Sequence, residues 1–208
     1  MDSRSLVRTQ VNVVFTAIHD SDTVASMDAD QIENPITGER IIFREGTGDN
    51  TAPVLGFDFY VRPGGGVFVP HCHDTQSETL NVLSGRLRCG MPKNTREIGP
   101  GETVSFASGE GHILESLGPE ELHAYVEFRP AGHAESFLRN YFGLCRDGKS
   151  DAKGDLALPQ IAMLMPAHGV WRADIPKPAQ RILFAILRPV SWLAGLRSRY
   201  PKYARPGR

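Results

Sequence analysis

Between Leu55 and Phe128, apolar residues recur at every second position in short bursts, and glycine-bearing turns stop each burst before a long element can form. Leu55, Phe57, Phe59 and Val61 alternate with Gly56, Asp58 and Tyr60, and PGGG ends the run. A period of two is that of a strand with one buried face, whereas a helix repeats its apolar positions at about 3.6 residues. VFVPHCH, TLNVL, RLRCGM, TREI, TVSFA, HILES and LHAYVEF follow, separated by SG, PKN, GPG, SGEG and GPEE. Many short strands joined by Gly-rich turns predict an all-β core: a small antiparallel β-barrel or jelly roll.

On the N-terminal side, QVNVVFTAI and ITGERIIF read as two further strands, and the polar DSDTVASMDADQ between them reads as loop. After Pro130 the period changes. Phe137, Tyr141, Leu144 and Cys145 fall at helical spacing, LPQIAMLM reads as a short helix, and PAQRILFAILRPVSWLAGL as a longer one kinked at Pro189. The expected organisation is an N-terminal arm over residues 1–35 with an edge strand and loop, a barrel over 36–130, and a helical, basic C-terminal extension over 131–208. A chain of 208 residues suits one domain with such decoration.

The net charge of −1 conceals an asymmetry. Residues 1–171 carry 23 acidic against 14 basic side chains, a balance of −9, and residues 172–208 carry 9 basic side chains and Asp174, a balance of +8. Cys72, Cys89 and Cys145 are odd in number and irregularly spaced, and MDSRSLVRTQ lacks an apolar signal core, so a reduced, cytoplasmic setting is expected. The longest apolar run, ILFAIL, is far shorter than the ~20 residues of a spanning helix.

Chemistry concentrates in GGVFVPHCHDTQSETLNVLSG, residues 65–85. On a strand, His71 and His73 face one side and Cys72 the other, so both imidazoles can reach one ion. The turn DTQS then returns the chain with Glu78 on a neighbouring strand, and a hairpin carrying SFASGEGHILES can deliver His112. An HxH pair alone is more often a solvated or core pair than a ligand pair. Three imidazoles and a carboxylate without thiolate suit Fe(II), Mn(II), Ni(II), Cu(II) or Zn(II).

The spacing resembles the cupin superfamily. Its first motif, G-x5-H-x-H-x3–4-E-x6-G, is matched by Gly65, His71, His73, Glu78 and Gly85. Its second, G-x5-P-x-G-x2-H-x3-N, is matched by Gly101, Gly109 and His112, with Ala107 in place of the proline and Ser116 in place of the asparagine. The resemblance covers about residues 36–130 and implies a small barrel holding one divalent transition metal on His71, His73, Glu78 and His112. More loosely, YFGLCRDGKSDAKGD is similar to the helical segment that follows the barrel in a group of single-domain cupins.

Other polar residues invite plainer readings. Gln76 is expected in an exposed turn, with a ligand contact as the alternative. Arg86 and Arg88 are expected to face solvent if Leu87 and Cys89 face the core. His123, Tyr125 and Glu127 share a strand face opposite Leu122, Ala124, Val126 and Phe128, and the apolar set is the more natural interior. Cys72 is expected to pack outside the metal pocket, and His19, His133 and His168 carry no assigned role.

The expected function is a metal-dependent enzyme acting on a small organic molecule in a pocket lined by residues such as Phe57 or Phe59, Val67, Val69, Leu80, Val82, Phe106 and Leu114. Among the resembling proteins the favoured chemistry is a dioxygenase-type oxidoreductase with Fe(II). A redox-silent Zn(II)-type isomerase or cyclase, with Glu78 or a metal hydroxide as base, is the alternative, and a non-catalytic binding module the second. A homodimer is expected. Apolar residues from Ile182 to Leu196 cover most of a helix circumference, so the tail must pack on the barrel, on a second subunit, or on a membrane surface as a peripheral contact. Nucleic acid is not an expected partner, because the body is acidic and the tail has no recognition element.

Overall fold

The computed structural model describes residues 30–44 and 53–205. The strand expected at QVNVVFTAI, and His19, lie outside these residues. Strands β1 (Gln31–Asn34), β2 (Glu39–Phe43), β3 (Leu55–Val61), β4 (Gly66–His73), β5 (Ser77–Ser84), β6 (Arg86–Met91), β7 (Asn94–Ile98), β8 (Thr103–Phe106), β9 (His112–Leu117) and β10 (Leu122–Arg129) come first. Helices α1 (Ala134–Arg146) and α2 (Leu158–His168), strand β11 (Val170–Arg172) and helix α3 (Lys177–Leu193) follow. Among the described residues, all pairings are antiparallel and form two sheets, ordered β1-β2-β3-β10-β5-β8 and β11-β4-β9-β6-β7.

Alternation decides which side chains meet between the sheets. Phe57, Phe59, Leu80, Val82, Val126 and Phe128 from the first sheet share one buried cluster with Leu87, Cys89, Ile98 and Leu114 from the second. Each such side chain contributes roughly 1.5–3 kcal/mol when fully buried. The sheets share no strand pair among the described residues, so the expected barrel takes the form of two facing sheets that do not close. The connections β4–β5 and β8–β9 cross from one sheet to the other, so neither pair forms a hairpin. Gly85 makes the tight turn between β5 and β6 at φ +76°, where a Cβ would sit 2.8 Å from the Glu121 carbonyl oxygen.

ITGERIIF, expected as one strand, divides into a turn and β2, and β1 pairs with β2 at the edge of the first sheet. Helix α1 ends where Gly148 adopts φ +68° and Lys149 N donates to the Leu144 carbonyl. The loop beyond is tied back twice. Asp151 Oδ1 accepts from the backbone N–H groups of Lys153 and Asp155, and Tyr141 Oη donates to the Gly154 carbonyl.

The helical extension is also part of the β structure, which the sequence reading did not anticipate. Helix α2 ends at Gly169, whose φ of +69° turns the chain into β11. There Val170, Trp171 and Arg172 pair with His73, Cys72 and His71, covering the edge of β4. Trp171 is buried, stacks on Phe184 of α3 at 6.0 Å and donates its Nε1–H to Asp74 Oδ2 at 2.6 Å. Gln180 of α3 donates to the Arg172 and Ile175 carbonyls and accepts from Arg172 N. Helix α3 continues through Pro189, burying Gln180, Phe184 and Ser191 on one face. No helix among the described residues is long and apolar enough to cross a membrane.

Candidate metal centre

His71 and His73 lie two apart on β4, so the pleat sends both imidazoles between the sheets and Cys72 to the other side. Cys72 packs with Trp171, Phe184 and Met165, and burial pushes its thiol pKa up. On the adjacent strand β9, His112 stands directly opposite His71 in register. Glu78 comes from β5 in the facing sheet, not from a strand beside β4 as expected. The site is therefore bridged between sheets, with three imidazoles on one and the carboxylate on the other.

The two crossing connections are fastened together. Gly109 N donates to the His73 carbonyl at 2.8 Å, and Ser108 Oγ donates to the Asp74 carbonyl. Gly109 has φ +80°, a conformation that glycine adopts freely at the turn before His112. Where the motif has proline, Ala107 closes the turn by other means: its carbonyl accepts from Glu110 N, and its N–H donates to Glu110 Oε2. Ser116, in place of the asparagine, is buried. Aromatic rings then fix the imidazoles, Phe106 stacking on His112 at 4.1 Å and Phe128 meeting His73 edge-on at 5.0 Å.

One potential ligand atom from each of His71, His73, Glu78 and His112 lies within 4.8 Å of all the others. His112 Nε2 is 2.9 Å and His73 Nε2 is 3.3 Å from Glu78 Oε2. Adjacent ligands bonded to one ion at about 2.1 Å stand about 3 Å apart, so these edges match a shared ion. The Nδ1 atoms of His71 and His112 lie 3.1 Å from the Val69 and Glu110 carbonyls. In His71 such a bond places the proton on Nδ1 and leaves Nε2 as a lone pair, the arrangement of a metal-ligating histidine, whereas His112 also hydrogen-bonds Glu78 Oε2 through Nε2 at 2.9 Å, a proton that a bound cation would displace. Buried His73 finds no aligned hydrogen bond for either ring nitrogen; its contact with Glu78 is close but not hydrogen-bonded. A cation among these groups satisfies that orphaned imidazole, so the residues fit a metal.

Electrostatics agree with this fit. The His71 pKa is pushed down to about 3 by burial and then by the neighbouring imidazoles of His112 and His73, keeping it neutral. For Glu78, burial acts to raise the pKa, but the charges of His112 and His73 and the hydrogen bond with His112 outweigh it and hold the carboxyl well below its ordinary range. For His112, burial acts to lower the pKa, and the Glu78 carboxylate with the Glu110 contacts more than reverses it. The carboxylate stays ionised against three imidazoles.

His71, His73 and Glu78 line a cavity of about 790 Å³. Phe57, Phe59, Val67, Val69 and Leu114 line it as expected; Leu80, Val82 and Phe106 pack in the core without reaching it. Side chains of α1, α2 and α3, among them Tyr141, Ile161 and Phe184, complete the wall. Their contribution went unread because helical spacing tells which face is apolar and not what it faces.

The remaining candidates fall outside the cluster. Gln76 is buried, not in the expected exposed turn, because its amide donates to the Ala131 carbonyl at 2.7 Å and braces the start of the extension. Arg86 and Arg88 face outward and pair with Glu97, and Arg88 also with Glu115, while Leu87 and Cys89 are fully buried. His123 bonds Asp58 and stacks on Tyr60, and Tyr125 donates to Glu127, all on the outer face of β10. His168 is buried against Ser136 and the Leu164 carbonyl, and His133 approaches Arg199.

Residues 57–128 match the family model for the Cupin domain. His71, His73, Glu78 and His112 all lie within that stretch. No curated protein matches the chain. Among solved structures it is similar to an uncharacterized conserved protein with a double-stranded beta-helix domain from Klebsiella pneumoniae, at 18% identity over 42% of this chain and 81% of that one, with a TM-score of 0.37. It is also similar to a sugar phosphate isomerase from a cupin superfamily of Silicibacter pomeroyi, at 20% identity over 45% and 60% of the two chains and a TM-score of 0.40. KdgF from Halomonas sp. is 16% identical over 48% of this chain and 86% of its own, with a TM-score of 0.40.

Proposed function

We propose that the protein is a metal-dependent enzyme that binds one divalent transition ion through His71, His73, His112 and Glu78 and acts on a small, largely apolar organic molecule in the adjoining cavity. The observation that carries this reading is the convergence of four donor groups beside a cavity of about 790 Å³, a volume within the range of small-molecule sites. Nitrogen and oxygen donors without thiolate suit Fe(II), Zn(II), Mn(II), Ni(II) and Cu(II) alike, and Fe(II) is favoured only by the resemblance to dioxygenase members of the cupin superfamily. Such an ion, when bound, supplies a redox centre for dioxygenase-type chemistry or, if redox-silent, a Lewis acid for isomerisation or cyclisation.

The chain's own residues have separate tasks in this scheme. The Val69 and Glu110 carbonyls hold the tautomers of His71 and His112. Phe106 and Phe128 exclude water from the imidazole faces. Ionised Glu78 balances the charge of the cation and, on the redox-silent alternative, accepts a proton at a carboxylate oxygen. Phe57, Phe59 and Val126 hold the apolar part of the substrate.

Iron reconstitution followed by oxygen-electrode assays against enols, thiols and phenols tests the favoured chemistry. Oxygen uptake that depends on iron and on one substrate class is the expected result. Tightly held zinc with no uptake transfers the reading to Lewis-acid chemistry, and a compound released from the pocket unchanged transfers it to binding without turnover.

A further inference from the structure

The cavity has a second polar end, which the metal cluster does not use. On β2, Glu39 shares the inward face of Ile41 and Phe43, is 4% exposed and lines the cavity. Asn34 stands opposite it on β1, is 1% exposed and lines the cavity as well. Register places this pair far from the potential metal ligands. Glu78 is in line with Phe128 and Leu55, whereas Glu39 is in line with Val61. Leu55 and Val61 are the two ends of β3, so the rows lie roughly 20 Å apart at about 3.3 Å per residue. From one row to the other, Phe128, Val126, Phe57, Phe59 and Ile41 line the cavity with apolar side chains.

Among the described residues, this polar end is incompletely paired. Glu39 accepts from the Thr37 hydroxyl, and no cation acts on it: burial is the dominant influence, with Thr37 and Asn34 as the others. Arg62, which also lines the cavity, donates to the Pro35 and Ile36 carbonyls instead. Tyr141 gives its hydroxyl proton to the Gly154 carbonyl. Asn34 Oδ1 accepts from Ile36 N at 3.1 Å, which fixes the orientation of the amide and leaves Nδ2 a buried donor without a partner. A buried orphan donor of this kind calls for an acceptor.

The two groups together select the chemistry of their ligand. An ammonium group donates to Glu39 but offers no lone pair to Asn34, and a carboxylate accepts from Asn34 but is repelled by ionised Glu39. A group that both donates and accepts satisfies the pair, and a hydroxyl is the smallest. Its proton goes to a Glu39 oxygen, and its own oxygen accepts from Asn34 Nδ2. Burial pushes the Glu39 carboxyl up to about 7, so both of its forms are present near neutral pH, and each accepts from a hydroxyl. We propose that Glu39 and Asn34 are specificity-determining residues that select an elongated, apolar substrate carrying a hydroxyl at the end far from the metal cluster. This assignment rests on the cavity being the site of action proposed above.

Calorimetric titration of the full-length protein with octanol, octylamine and octanoate, in the presence of a chelator and near neutral pH, tests the assignment. Octanol should bind about tenfold more tightly than either charged probe, because only the hydroxyl pairs both groups. Glu39→Leu, with the fold checked by circular dichroism, should erase that preference. Glu39→Gln, which keeps the shape and an acceptor but removes the charge, should leave octanol nearly unchanged and strengthen octanoate several-fold. Equal affinity of the three probes for the wild type, an octanol preference that survives Glu39→Leu, or an octanoate affinity unmoved by Glu39→Gln would overturn the proposal. The probes are titrated without metal, so failure of the metal reading leaves these expectations standing and the two failures are distinguishable.

Discussion

The β core and the C-terminal segment support the candidate site in different ways. The core supplies all four potential ligands and locks them by strand register, so the positions of His71 and His112 follow from the β4–β9 pairing itself. The C-terminal segment supplies none of them. It covers the edge of β4 through β11 and walls the cavity with α1, α2 and α3. The potential ligands thus sit where backbone hydrogen bonds fix the geometry, and the C-terminal segment joins that part through the β11 ladder and through side-chain packing.

Breaking the joint between the two regions should have the largest effect. Trp171→Ala removes a buried indole that stacks on Phe184 and donates to Asp74, and truncations of this kind cost about 3–5 kcal/mol. Urea unfolding should show a loss of that order; a loss below about 1 kcal/mol would mean that β11 is an ornament on an independent core.

A second, pH-dependent effect sits at the seam between β2 and α1. Burial pushes the Glu39 carboxyl up to about 7, against the Thr37 hydroxyl and the Asn34 amide, which act to lower it. The unfolded chain releases this proton near the ordinary carboxyl value of 4.5, so between pH 4.5 and 7 the folded chain binds more protons and stability falls as pH rises. Glu39→Gln should therefore stabilise the protein at pH 8 by up to about 3 kcal/mol and do nothing favourable at pH 4. His168 has the opposite sign. Burial lowers its pKa from 6.5 to about 4, so its contribution is present above pH 6.5 and lost as pH falls through 4. Denaturation midpoints measured from pH 4 to 8 on wild type, Glu39→Gln and His168→Asn should separate the two slopes.

The smallest effect belongs to the outer face of the core. Arg86→Ala removes an exposed ion pair with Glu97, and the urea midpoint should not move measurably. A marked drop would mean that the outer strand face has a structural load the inward alternation does not predict.

These contrasts also explain what was legible from residues alone. Period-two alternation, as in β5, β8 and β10, together with the Gly-rich turns between runs marked the strands, and the framing of His71, His73 and Glu78 by Gly65 and Gly85 carried the ligand set. Sheet membership was not legible: nothing in DTQS or SGEG tells that the chain crosses to the facing sheet instead of turning back as a hairpin. Strand β11 was missed because three residues hold no period, and its pairing depends on β4, about a hundred residues earlier. Gln76 was misread because its partner, the Ala131 carbonyl, is distant in sequence. The partition of α3 into a packed face and an exposed stripe likewise required the position of β11.

The central claim is that His71, His73, Glu78 and His112 together hold one ion. Elemental analysis of the purified full-length protein, after reconstitution under anaerobic conditions, tests it most directly when run beside His112→Ala. The account predicts close to one transition metal per chain for the wild type and loss of most of it in the variant, with the fold retained by circular dichroism. A wild type that takes up no metal, or a His112→Ala protein that keeps its full complement, would contradict it.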